Sequence, residues 1–142
     1  WSLVEIAKAE LLRIGVPPDK IIAAPAPATE SQRTYEAAVM AWRALQAQPF
    51  QVKAVNVFTL GAHARRSRLV YAKVFGSSTK TGVIAWDPPG YQAEPWWHSS
   101  ERSEDMIKET VGYLFEALLN SGRRSNSPMD HKALAAAVGT NP

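Results

Sequence analysis

At the start of the chain the apolar positions recur at helical spacing. Val4, Ala7, Leu11 and Ile14 stand three, four and three residues apart, which aligns them on one face of a helix over residues 2–14. "GVPP" ends it, because Gly15 suits a C-terminal cap and two prolines cannot continue a helix. "KIIAA" then reads as a short strand, and "PAPATES" leads out of it. A second helix is expected over about residues 31–47, with Tyr35, Ala38, Trp42 and Leu45 on one stripe. "VKAVNVF", residues 52–58, is nearly continuous in apolar residues, as a strand buried on both faces would be.

A third helix follows over about residues 63–75 and stops at Gly76. "GVIAW", residues 82–86, is the next strand, and "DPPGYQAEPWWHSS" is a long loop rich in prolines and aromatics. The last strong helix, over about residues 103–120, turns Ile107, Val111, Leu114 and Leu118 to one side. "SGRRSNSP" is a linker, and "DHKALAAAV" reads as one more short helix begun by Ser127 and Pro128. No repeat is visible. Helices alternating with apolar strands predict an α/β fold, a three-layer Rossmann-like sandwich with a mainly parallel sheet. It would occupy residues 1–121, with residues 122–142 as a C-terminal linker and short helix.

In 142 residues, 46% hydrophobic and 20% charged, there is enough apolar material for one compact domain. A net charge of +3 is too mild and too scattered to indicate a specific nucleic-acid partner. The absence of cysteine removes disulfides, thiolate catalysis and Cys-based zinc sites together. No apolar run approaches the roughly 18 residues that span a bilayer, and none reads as a signal peptide. A chain that opens on Trp1 with helical periodicity at once is expected to be a fragment or a processed product. A membrane anchor, if the protein has one, would then lie upstream.

Chemistry is concentrated at strand ends. In open parallel sheets, ligands bind beyond the carboxyl ends of the strands, where loops enter the next helix. "TLGAHARR" sits at such a junction: Thr59 ends a strand, Gly61 permits a tight turn, and His63 and Arg66 share a face three residues apart. Free backbone N–H groups and a guanidinium there suit an anion or carboxylate, and an imidazole can donate, accept or move a proton. The alternative is a capping histidine beside solvated arginines. Arginines at a helix start oppose the helix dipole, and that favours the site. In "RTYEAA", Thr34 and Glu36 fit local capping, and Glu36 matters to a site only where the fold brings it to His63. Trp96, Trp97 and His98 would pack the long loop or cover a ligand, with packing the commoner use of loop tryptophans.

Other signals fail. "GSSTKTG" has the wrong order for a phosphate-binding loop, and neither Gly-x-Gly-x-x-Gly, His-Glu-x-x-His nor Gly-x-Ser-x-Gly occurs. The runs "RRSR" and "GRR" lack the aromatics of a single-strand-binding platform.

The succession "LLRIGVPPDKII", "SQRTYEAA", "VFTLGAHARRSRLVY" and "IKETVGYL", from Leu11 to Leu114, resembles the YdcF/SanA/ElyC-type domain of unknown function. Thr34 and Glu36 match its Thr-x-Glu-Asn helix start, with Ala37 at the Asn position. Thr59, His63 and Arg66 match its Thr-Ser-x-x-His-x-x-Arg, with Leu60 at the Ser position. Trp97 and Glu109 correspond to its late Trp loop and the Glu opening onto its last helix. The family's first strand and glycine-rich loop would precede Trp1.

The resemblance implies a Rossmann-like bacterial domain of the cytoplasm or cell envelope. It allows S-adenosylmethionine as a ligand and settles no reaction. The expected site is a polar cleft of Thr34, Glu36, Thr59, His63, Arg66 and Glu109 that binds a small polar or anionic ligand. In it Arg66 would hold an anionic group, and Glu36 would orient His63 or accept from a ligand hydroxyl or amine. A different class of function, an envelope accessory module that works through protein contacts with a vestigial pocket, is the alternative. A hydrolase of lipid-linked phosphates would need a metal or base pair that the sequence does not display. Homo-oligomers are expected if the first strand is absent, because apolar faces would then be left uncovered.

Overall fold

A computed structural model describes residues 3–26, 32–89 and 95–119. Its centre is one βαβ unit. Strand β1 (Ala54–Leu60) leads through a single 3-10 turn (Gly61–His63) into helix α3 (Ala64–Phe75), which returns the chain to strand β2 (Lys80–Trp86). The strands pair in parallel, with Val57 opposite Val83 and Leu60 opposite Trp86. Helix α3 ends at Gly76, whose φ of 75° places it where a Cβ is disfavoured. The α/β class expected from the alternation of elements is therefore present, in the form of a two-stranded parallel sheet among the described residues.

Helices lie on one face of that sheet. Helix α2 (Arg33–Gln46) and helix α3 enclose the core, in which Ala38, Val39, Val70, Val74 and Phe75 are buried and Val55 joins from β1. Phe75 is the hub, with Trp42 tilted against it at 5.4 Å and Tyr71 edge-on at 5.5 Å between ring centroids. Helix α4 (Ser100–Leu114) packs beside α3 and continues into a π turn (Phe115–Leu119). Ser99 caps α4 by accepting a hydrogen bond from the Arg102 amide. The buried Lys73–Glu116 ion pair ties the end of α3 to the π turn.

Three expectations change. Strand β1 is not covered on both sides: Val55, Val57 and Thr59 face the helices, while Phe58 (66% exposed) and Leu60 stand on the opposite face with Ile84 and Trp86. Its apolar run was continuous because the uncovered face is apolar too. "KIIAA" does not pair with another strand. A 3-10 turn (Pro18–Lys20) precedes it, and Ile21 is extended without a ladder partner among the described residues. Helix α1 (Leu3–Arg13) forms as its periodicity predicts, but none of its residues is buried, and Leu11 and Ile14 of the expected stripe are exposed. The C-terminal linker and short helix expected over residues 122–142 lie outside the described residues. No helix among the described residues is long and apolar enough to cross a membrane.

Candidate functional site

The 3-10 turn after β1 sets His63 at the threshold of α3, and Arg66 follows one turn later on the same side. Both meet a carboxylate from another helix. Glu109 of α4 accepts two hydrogen bonds from Arg66, from Nε at 2.6 Å and from Nη2 at 3.0 Å. The same Oε1 lies 2.9 Å from Nδ1 of His63. On the far side of the ring, Nε2 stands 3.4 Å from the Thr34 hydroxyl, in the first turn of α2. Three helices thus converge on one imidazole.

The contacts favour one position for the ring's proton. A guanidinium has only donors, so Nδ1 either accepts from Arg66 Nη2, at 3.1 Å, or donates to Glu109. The carboxylate is nearer, and an unprotonated Nδ1 would set its lone pair against the Glu109 oxygen at 2.9 Å. Nδ1–H therefore donates to Glu109, and Nε2 is left as the acceptor for the Thr34 hydroxyl. Burial alone would raise the Glu109 pKa, but the hydrogen bonds from Arg66 and His63 outweigh it and hold the carboxyl below its ordinary value. Arg66 is raised above its ordinary value, chiefly by the bond to Glu109.

Gly112, one turn beyond Glu109, makes the approach possible. A Cβ there would come within 2.8 Å of Arg66 Cδ, so the guanidinium reaches its partner across a bare stretch of α4. The group is built as an oriented imidazole with a fixed carboxylate, the arrangement that general acid–base chemistry uses.

The cleft opens at the carboxyl ends of β1 and β2, as expected of a parallel sheet. Two adjoining hollows, of about 460 and 350 Å³, share Gly61, Ala62, Asp87 and Glu109. The larger one is walled by Arg65, Arg102, Trp96 and Tyr113. The smaller one is acidic, with Asp87, Asp105 and Glu109 beside His63. Asp87 directly follows β2 and folds over the turn after β1. A Cβ on Gly61 would overlap its carboxylate, so glycine leaves the room in which Asp87 rests against the turn.

Of the six residues expected at the site, Thr34, His63, Arg66 and Glu109 form one contact group, and His63 and Glu109 also line the cleft. Glu109, not Glu36, supplies the carboxylate on His63. Glu36 stands two helical positions from Thr34, a step of about 200° that turns it to another side of α2. Thr59 is on the helix-facing side of β1 opposite Ala85. Arg66 is committed to Glu109 rather than facing a ligand, and the cations on the cleft wall are Arg65 and Arg102. Trp96 lines the cleft, whereas Trp97 is 62% exposed and stacks edge-on against Trp96.

Asp87, Arg65 and Arg102 were not singled out from the sequence. The signal for Asp87 was its position immediately after a strand, the same logic that picked out Thr59 and Gly61. Among the described residues no group of three histidines or carboxylates is arranged to hold a metal ion. Comparison with known protein families, characterised proteins and solved structures finds no match for this chain.

Proposed function

We propose that the chain binds a small polar or anionic ligand in the cleft beyond the carboxyl ends of β1 and β2. The observation that carries this is the cleft wall itself. Two guanidiniums, Arg65 and Arg102, line a hollow that also holds the edge of the Glu109–His63 group. Arginine suits oxyanions because its planar fork offers paired donors. His63 would meet the ligand as a hydrogen-bond partner or proton carrier, and Arg66 and Thr34 would hold it in register. The resemblance to the YdcF/SanA/ElyC-type domain points the same way. It also suggests that the uncovered sheet face receives a second helical layer in a complete three-layer sandwich, and that the setting is bacterial envelope metabolism.

Thermal shifts with nucleotides, sugar phosphates and S-adenosylmethionine test the reading. A ligand that raises the Tm of the wild type and loses that effect in Arg65→Ala/Arg102→Ala and in His63→Ala is the expected result. Equal shifts in all three proteins would remove the cleft from consideration.

One observation favours a second reading, an accessory module that works through protein contacts. Phe58, Leu60, Ile84 and Trp86 form a continuous apolar patch on the open sheet face. A second copy of this chain is the occupant that reading names, and its test belongs with the properties of the whole molecule.

A further inference from the structure

The ligand of this cleft can be narrowed, on the assumption that the cleft binds one. The two hollows differ in charge. Asp87 and Glu109 line both, but Arg65 and Arg102 offset them in the larger, whereas the smaller adds Asp105 and has no lysine or arginine among its described lining. A ligand that spans both needs an anionic part for the guanidiniums and hydroxyl or amine donors for the acids. Asp87 belongs to both hollows, so it would touch the middle of such a molecule.

The position of Asp87 is informative in its own right. The chain runs β1, a glycine turn, α3 and β2, and an acid follows at once, folded over that glycine. In βαβ units that hold nucleotides, an acid past the second strand accepts from ribose hydroxyls, while phosphate sits by the first turn and the helix start. Here Gly61, Ala62 and Arg65 occupy that turn and helix start, and all three line the larger hollow. Trp96, 42% exposed, stands on the same wall and offers an indole to a flat partner. At about 460 Å³ the larger hollow falls within the range of small-molecule sites.

We infer that the cleft takes a nucleoside phosphate, with phosphate on Arg65 and Arg102, the ribose diol on Asp87 and the base against Trp96. Asp87 would then be the residue that reads the sugar.

Isothermal titration of the full chain with AMP, UMP, their 2′,3′-dideoxy analogues and ribose 5-phosphate tests this. The expected result is binding of AMP or UMP, with the dideoxy analogue weaker by about tenfold or more, since it lacks the two hydroxyls that would donate to Asp87. That difference should disappear in Asp87→Ala, which removes the acceptor altogether. The comparison of ligands on the wild type stands even where the variant folds poorly. A dideoxy analogue that binds as tightly as AMP or UMP overturns the assignment of Asp87. Ribose 5-phosphate binding as tightly as either nucleotide overturns the role given to Trp96 and the base. In both cases an anion still occupies the cleft, so the broader proposal survives. No binding by any of these compounds, nor a thermal shift with any other anion, removes both.

Discussion

At the scale of single residues, the contact between Glu109 and its two donors decides how the site behaves. Glu109→Gln removes the charge that Arg66 and His63 both address, and leaves a partly buried guanidinium facing a neutral amide. A loss of about 1–2 kcal/mol is expected, tempered by the water that still reaches Arg66. The pH dependence has a definite sign. Because folding lowers the Glu109 pKa, its contribution is fully present above the ordinary carboxylate value of about 4.3. It is lost as pH falls through the lower folded-state value. Urea unfolding of the two proteins from neutral pH downward should show a gap that closes in the acid range. A gap that is constant with pH would mean that the carboxylate's charge is not what stabilises the contact.

At the scale of elements, the same amphipathic pattern has two different outcomes. Val70 of α3 is 1% exposed in the core, whereas Leu11 of α1 is 39% exposed. Val70→Ala should cost about 2–3 kcal/mol, because it opens a cavity in the core that Val70 shares with Ala38, Val39, Val74 and Phe75. Leu11→Ala should fall within about 0.5 kcal/mol of wild type, which thermal unfolding of both variants would distinguish. The spacing of Val4, Ala7, Leu11 and Ile14 shows that a helix forms, and it does. Periodicity carries no information on what covers the stripe, so the exposure of α1 was not legible. The strand β1 repeats the lesson: Phe58 and Leu60 lengthen its apolar run without being covered. His63 and Arg66 were legible from spacing alone. Their carboxylate came only through the resemblance, because 43 residues separate Glu109 from Arg66 and no local pattern joins them.

At the scale of the whole molecule, a sheet with helices on one face leaves its other face apolar and both outer strand edges without a partner among the described residues. Such a surface promotes association. Sedimentation velocity should show concentration-dependent self-association of the wild type. Phe58→Lys/Ile84→Lys should abolish it with little change in Tm, since both side chains already face solvent in the isolated chain. A wild type that remains monomeric throughout would leave the second-copy reading without support. Leu60 of this face reaches the edge of the cleft, but Phe58 and Ile84 do not line it, so the variant should bind ligand as the wild type does.

The convergence of α2, α3 and α4 on one imidazole is tested most directly by the nitrogen chemical shifts of His63 in a ¹⁵N-labelled sample. Nδ1 should carry the proton, bonded to Glu109, and Nε2 should show the shift of an unprotonated acceptor. Glu109→Gln should move the Nδ1–H resonance upfield. A ring protonated on Nε2, or an Nδ1 signal indifferent to Glu109→Gln, would contradict the site.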